Sequence, residues 1–361
     1  MYVEGKARIR YTKGAFLNPR ARLLRDISVA FISQQLGSNA ILDATTGTGI
    51  RGIRYWKETN AASVTMLDIN GQAAGTAARN VAFNRVKARV LSTSIQEFAN
   101  RKEGAFDIID VDPFGGISPY VYDIMKVSRD GTCLLLTTTD TAVLCGAHEQ
   151  ACIRLYGSKP MHNELCHEVG IRIMVNYIAT VAAQFNFGIE VMLAVSYAHY
   201  MRAFVRLAHG SANAVSAIRN TGHAYYCGKC GFRGYSKGMF PSMSECGSCA
   251  ARLQVAGKLW LGSLKDGSTT SAMLEHPEAG MMSESGISFL RTVHEEADIP
   301  LYYSIPKMTK IMHRRSVSPL RVIEGLAELG YRATRTHFDA SSVKTDADVD
   351  AVRKCIEGIS R

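Results

Sequence analysis

Between residues 40 and 140 the chain alternates short apolar runs with helically spaced segments, and this alternation restricts its fold more than any other feature. Ala40–Asp43, Ser63–Asp68, Ala88–Leu91, Phe106–Val111 and Thr132–Leu136 read as buried strands. Ile50–Lys57, Gln72–Asn84 and Pro119–Val127 between them have helical spacing. Strands connected through helices lie parallel in one sheet, with the helices covering its faces. A long helix over Asn163–Phe185 then leads into two strands, Ile189–Ala198 and Tyr200–Leu207. Their short connection requires an antiparallel pair at the sheet edge. The expected class is therefore α/β, a doubly wound sheet closed by an edge hairpin.

A chain of 361 residues exceeds one ordinary core. We expect a basic N-terminal segment over 1–39, the sheet domain over 40–222 and a C-terminal α+β domain over 223–361. Residues 209–223, small and polar, mark the boundary, and a cysteine-bearing insert occupies 224–252. Beyond Gly257 a strand at Lys258–Leu261 and helices near Gly286–Glu296, Pro319–Leu329 and Asp346–Ile359 are expected. No apolar run approaches the roughly 18 residues of a membrane span. The N-terminal residues lack the apolar stretch of a secretory signal, so a cytoplasmic location is expected. The net charge of +10 is concentrated in two places, Lys6 to Arg25 and Lys307 to Arg321. Two separated basic patches suit a long polyanion better than a small anion. The alternation of Lys6, Arg8 and Arg10 places three cations on one face of a strand. No obligate protein partner is evident.

Asp43-Ala44-Thr45-Thr46-Gly47-Thr48-Gly49-Ile50-Arg51-Gly52 follows the first strand of the sheet and opens a helix. Glycines here permit a tight turn and close approach of a ligand to the backbone. Asp68 ends the next strand, where a carboxylate would accept hydrogen bonds from both hydroxyls of a ribose. A nicotinamide dehydrogenase would share these features. Asp43, placed before the loop, favours a methyltransferase site instead.

The fourth strand separates the two chemistries. It delivers Asp112-Pro113-Phe114-Gly115 to its carboxyl end, the edge where ligands bind in an open parallel sheet. An exocyclic base amine is a poor nucleophile because its lone pair is delocalised into the ring. A carboxylate accepting its N–H bonds localises that pair toward a methyl sulfonium and takes up the proton. Proline fixes the backbone and removes a competing donor, and the aromatic ring offers a face for an exposed base. Asp110 lies on the same strand face as Asp112 and is a rival for the acid–base role. These residues point to a Rossmann-like class I methyltransferase that uses S-adenosylmethionine on a nucleic-acid base.

Of nine cysteines, Cys133, Cys145, Cys152, Cys166 and Cys355 lie in apolar or helical contexts and read as packed thiols. Cys227-x2-Cys230 and Cys246-x2-Cys249 are separated by 15 residues, the spacing of a structural zinc ribbon. A non-enzymatic alternative, an RNA-binding zinc-ribbon protein with a vestigial cofactor fold, rests on these cysteines and the basic patches.

Family blocks run along almost the whole chain. They include Glu4-Gly5-Lys6-Ala7, Phe16-Leu17-Asn18-Pro19, Leu24-Arg25-Asp26 and Thr48-Gly49-Ile50-Arg51-Gly52-Ile53-Arg54. They continue through Asp110-Val111-Asp112-Pro113-Phe114-Gly115, Thr139–Gly146, Cys166–Arg172, Leu259-Trp260-Leu261-Gly262 and Thr336-His337-Phe338. In these the chain resembles the tRNA guanine-26 N2-dimethyltransferase family, particularly its archaeal-like members. The resemblance implies two successive methyl transfers to N2 of guanine 26 of tRNA; alternatives are a single transfer or a neighbouring guanine. It implies that Arg25, Arg51, Asp68, Ser94 and Ile95 contact the cofactor beside Asp43, Gly47 and Gly49. It further implies that Asp112 is catalytic and that Phe16 and Phe114 sandwich the base. Leu17, Leu24 and Ser94 stand where the family usually has tyrosine, asparagine and an adenine-reading aspartate.

Overall fold

A computed structural model describes residues 1–10, 17–37, 39–101, 103–275 and 282–360. An N-terminal hairpin, β1 (Tyr2–Glu4) and β2 (Ala7–Ile9), precedes α1 (Arg22–Ser33). The central sheet takes β3 (Asn39–Asp43), β4 (Ala61–Asp68), β5 (Ala88–Ser92), β6 (Ile108–Val111), β7 (Cys133–Thr138), β8 (Phe187–Tyr197) and β9 (Tyr200–His209). Their order across the sheet is β5-β4-β3-β6-β7-β9-β8. The first five strands are mutually parallel, and β9 runs antiparallel to both β7 and β8. This is the expected doubly wound sheet with its edge hairpin. The order reverses between β3 and β6, which opens a crevice at their carboxyl ends.

The crossovers carry α2 (Ile50–Glu58), α3 (Gly71–Phe83), α4 (Ile95–Asn100) and α5 (Ser118–Met125). Their starts are chemically marked. Asn70 accepts from the amides of Gln72 and Ala73 at α3, Ser94 accepts from Glu97 at α4, and Pro119 occupies the first turn of α5. After β7 come α6 (Thr141–Leu144), α7 (Glu149–Tyr156) and α8 (Cys166–Gln184). Nearly all of α8 is buried, because it packs on β8 and β9 while β12, α5, α6 and α9 cover its other sides. That enclosure explains why its sequence lacks a polar face.

α9 (Ser211–Arg219) connects to a second, three-stranded sheet of order β11-β10-β12, built from β10 (Thr221–Tyr226), β11 (Arg233–Lys237) and β12 (Gln254–Trp260). The expected strand at Lys258–Leu261 is thus the end of a longer one. α9 occupies the expected boundary at 209–223, where small polar residues hide a helix that buries only Ala214 and Ala217. α10 (Gly267–Glu275) and α11 (Glu284–Glu295) return to pack on α1, on the opposite face of the central sheet from α8. The chain closes with β13 (Tyr303–Ser304), α12 (Ile305–Ile311), α13 (Pro319–Glu328), β14 (Ala333–Arg335), β15 (Ser342–Thr345) and α14 (Val349–Ile359), which share their own apolar core. Buried charges join this unit to α8. Glu168 meets Arg172 at 2.9 Å and Lys344 at 3.3 Å, and Lys344 meets Glu296 at 2.7 Å. No helix among the described residues is long and apolar enough to cross a membrane.

Candidate active site and two thiol clusters

A cavity of about 500 Å³ opens at the carboxyl ends of β3, β4 and β6, within the size range of small-molecule sites. The glycine loop forms one wall. Gly47 (φ 56°) and Gly49 (φ 86°) both adopt left-handed backbone, which a side chain would strain. A Cβ on Gly49 would also lie 3.2 Å from Ala77. Asp68 stands behind the loop, its Oδ2 accepting the Gly47 amide at 2.8 Å and its Oδ1 the Asn70 amide at 2.9 Å. Thr93, Ser94, Ile95 and Gln96 continue this wall past β5. The Ser94 hydroxyl accepts the Glu97 amide at 3.0 Å, so it caps α4 from the rim of the cavity.

Asp43 lies under the loop and is not among the residues lining the cavity. Its Oδ2 accepts the Thr46 hydroxyl at 2.7 Å and the Gly52 amide at 3.1 Å. Burial first, then the charge of Asp110, pushes its carboxyl up to about 7, against the pull of the Thr46 hydrogen bond. Asp43 therefore braces the turn.

The opposite wall carries charge. Asp112, Pro113 and Phe114 line the cavity, with the Asp112 side chain 20% exposed and Phe114 73% exposed. Thr45 Oγ1 accepts the Asp112 amide at 2.8 Å and fixes the backbone where strand becomes loop. The Arg51 guanidinium donates to Asp112 Oδ2 and lies 3.7 Å from Asp110. Burial opposes the Arg51 charge, but Asp112 and Asp110 together hold its pKa well above the ordinary arginine value. Asp110 itself is fully buried. Arg202 bonds it through two nitrogens at 3.2 and 2.8 Å, and the Tyr55 hydroxyl donates to it. Burial would raise the Asp110 carboxyl, yet Arg202 and Arg51 keep it below the usual carboxylate range. Of the two carboxylates, Asp112 alone lines the cavity and Asp110 anchors the arginines beneath it.

The third wall comes from the N-terminal region: Leu17, Asn18, Ala21 and Arg25. Arg25 reaches the cavity while its Nε and Nη2 are bound by Glu4 at 2.6 and 2.5 Å. Glu4, held down to about 2 despite burial by Arg25 and Arg54, belongs to a buried network with Arg54, Asp26 and Glu58. Phe16 lies outside the described residues. Thr45, Asn18, Tyr120, Thr139 and Tyr200 also line the cavity, and the sequence assigns none of them a role. Asn18, whose Nδ2 donates to the Tyr200 hydroxyl at 2.6 Å, was signalled by its place in a family block; Tyr200 carried no sequence signal.

At the far end of the ribbon the four cysteines converge. Cys227 and Cys249 have their sulfurs 3.5 Å apart, as do Cys230 and Cys246, and all four sulfurs lie within 4.8 Å of one another. A disulfide would place sulfurs about 2.05 Å apart. Four thiolates at about 2.3 Å from a tetrahedral zinc are spaced by about 3.8 Å, so the set fits that ion. Two similar turns build it: the Gly231 amide donates to Cys227 O at 2.9 Å, and the Ala250 amide to Cys246 O at 2.8 Å. A second convergence, of Cys145, Cys166 and His167, lies at the start of α8.

Comparison with known proteins bears on the whole chain. The model of a family described as N2,N2-dimethylguanosine tRNA methyltransferase matches residues 1–357. The tRNA (guanine(26)-N(2))-dimethyltransferase of Methanothermobacter thermautotrophicus is 33% identical over 353 residues, covering 95% of this chain and 93% of that protein. The enzyme of the same name from Thermococcus kodakarensis is 34% identical, covering 98% and 96%. The structure of Trm1 from Pyrococcus horikoshii with S-adenosyl-L-methionine superposes with a TM-score of 0.91 at 33% identity, covering 98% of this chain and 99% of that one.

Proposed function

The chain belongs to the N2,N2-dimethylguanosine tRNA methyltransferase family, and we propose that it dimethylates N2 of guanine 26 of tRNA with S-adenosylmethionine. One observation carries the mechanism: the Asp112 carboxylate shares a cavity with the glycine loop and Asp68, and Arg51 orients it from below. Bound S-adenosylmethionine supplies a methyl group activated on a sulfonium sulfur. Asp68 accepts the ribose hydroxyls, and the backbone of Gly47 to Gly49 approaches the cofactor closely because no Cβ intervenes. Ser94 and Ile95 border the adenine. Arg51 and Arg25 contact the carboxylate end; Arg25 does so while tethered to Glu4.

Arg51 occupies Asp112 Oδ2, which leaves Oδ1 to accept an N–H of the guanine amine. That bond localises the nitrogen lone pair toward the methyl carbon. As the N–C bond forms and the S–C bond breaks, the electron pair of the latter stays on sulfur. The amine proton passes to Asp112 and then to water. Phe114 stacks on the base, with Phe16 as the other wall. A second turnover repeats these steps on the monomethylated amine.

We also assign zinc to Cys227, Cys230, Cys246 and Cys249, where it would order a ribbon whose own apolar cluster is small. Exposed Lys310, Arg314, Arg315 and Arg321 offer phosphate contacts for tRNA, as do Lys6, Arg8 and Arg20. We propose the cytoplasm as its location, where a tRNA substrate is available to it.

The test is Asp112→Ala. Methyl transfer from labelled S-adenosylmethionine to unmodified tRNA should fall by about 10²–10⁴, with S-adenosylhomocysteine binding retained. Undiminished transfer would remove Asp112 from the mechanism.

A further inference from the structure

Cys145, Cys166 and His167 bring two sulfurs and one ring nitrogen within 4.8 Å of one another, well away from the ribbon in the chain. Cys145 follows the last residue of α6, and Cys166 and His167 form the first turn of α8. Nothing in the reaction uses these groups. Cys145 Sγ and His167 Nδ1 are 3.6 Å apart. In a tetrahedral site with zinc–sulfur bonds of about 2.3 Å and zinc–nitrogen bonds of about 2.05 Å, the sulfur–nitrogen edge is also about 3.6 Å. Cys145 is buried, whereas Cys166 and His167 are half-buried, so the cluster has a closed side and an open one.

We propose that Cys145, Cys166 and His167 form a second zinc site, with three protein ligands and a fourth position open to water. Two thiolates and an imidazole select a thiophilic divalent ion over magnesium or calcium. Metal binding displaces the two thiol protons and ties the end of α6 to the start of α8. His162 Nδ1 lies 3.0 Å from the Cys145 carbonyl, and this holds the chain between the two helices against Cys145.

The position gives the site a consequence for the reaction. α6 begins just after Thr139 and Asp140, and Thr139 clamps the catalytic loop at Gly115. The Gly115 amide donates to Thr139 Oγ1 at 2.9 Å, and the Thr139 amide donates to Gly115 O at 3.1 Å. An ion holding α6 to α8 would therefore stiffen the support of the Asp112–Gly115 loop from behind. It would act on positioning without touching substrate.

The test loads full-length reduced protein with Zn²⁺, removes loosely held metal by gel filtration, and counts ions per chain by mass spectrometry. Two ions are expected. His167→Ala and Cys145→Ser should each hold one, and Cys249→Ser should keep the second site while losing the ribbon ion. That last variant separates failure of this site from failure of the ribbon. Binding of S-adenosylhomocysteine by each variant reports that it is folded. If the variants do not fold, Co²⁺ titration of the wild type decides. Charge-transfer bands that keep growing through a second equivalent support the site, and saturation at one equivalent overturns it. One zinc per wild-type chain overturns it, as does retention of both ions by His167→Ala. A Cys145–Cys166 disulfide found by peptide mapping of the zinc-loaded protein overturns it too, since oxidised sulfurs bind no ion.

Discussion

On the glycine-loop side of the cavity, Gly47 and Gly49 turn the backbone and Asp68 accepts an amide from that turn, so shape is held by local geometry. On the Asp112 side, Arg51, Asp110, Arg202, Tyr55 and Asp112 hold one another through buried charge, contributed by β6 and the loop after it, β9 and α2. The two sides fail differently. A turn fails by strain in proportion to the side chain introduced. A buried ion network fails when one member leaves, because its partner keeps its charge and loses its compensation. The charged wall therefore depends on residues, Asp110, Arg202 and Tyr55, that do not line the cavity.

Arg202→Ala should break the charged side most severely. Asp110 would keep only the Tyr55 bond and a 3.7 Å approach from Arg51, at a cost of about 3–5 kcal/mol in urea unfolding. Arg51 would also be drawn toward Asp110 and away from Asp112, so methyl transfer should fall further than cofactor binding does. The double variant Arg202→Met with Asp110→Leu removes both charges and should recover part of the lost stability. No recovery would mean that packing, and not uncompensated charge, sets the cost.

Asp43 sits between the two sides: it braces the glycine turn and feels the Asp110 charge. Its carboxyl is raised to about 7, so from about pH 4 to pH 7 the folded chain holds a proton that the unfolded chain has released. Stability from this group is full below about pH 4 and is lost as pH rises through 7. The slope is about −1.4 kcal/mol per pH unit at its steepest. Asp43→Asn keeps an oxygen for Thr46 and Gly52 and should flatten that slope. Unfolding curves at pH 5 and 7.5 measure it, and an unchanged slope would assign the proton elsewhere.

The two sides were also unequally legible in the sequence. Gly47, Gly49 and Asp68 are read from spacing along one strand–loop–helix unit, because a tight turn and a strand end are local properties. Asp112 was readable for the same reason. The partners of the charged side were not. Arg202 lies 92 positions from Asp110 on β9, the inner strand of the edge hairpin, and no local spacing links the two. Glu4 meets Arg25 across 21 residues, a pairing that depends on the hairpin turning Glu4 inward and that no local spacing signals. Lys6, Arg8 and Arg10 do point outward around β2, as alternation requires, while Ala7 and Ile9 are buried. β10 and β11, each carrying a glycine and lacking a clean apolar alternation, left no strand signal, although the spacing of the cysteines beyond them marked the ribbon they support.

Gly49→Ala tests the geometric side. It places a Cβ in left-handed backbone and against Ala77 at 3.2 Å, for about 1–3 kcal/mol of strain. S-adenosylhomocysteine binding should weaken by calorimetry while the charged wall stays intact. That pattern is the reverse of the one expected for Arg202→Ala.

Ser94→Asp should have the smallest effect, and it should be a gain. Serine and aspartate cap helices about equally well, so α4 should keep its first turn and unfolding should barely change. The Ser94 hydroxyl already accepts the Glu97 amide from the cavity rim. A carboxylate there has a second oxygen for the exocyclic amine of adenine, and a hydrogen bond to a charged acceptor is worth about 1.5–3 kcal/mol. Much of that is lost to water at an open rim, which leaves about a three- to tenfold gain in S-adenosylmethionine affinity. Methyl transfer at saturating cofactor should not change, because the new bond is equally strong before and during transfer. A gain in affinity with a constant turnover number would show that this wall only binds. A change in turnover would show that adenine placement is coupled to the charged wall, which the present contacts give no route for.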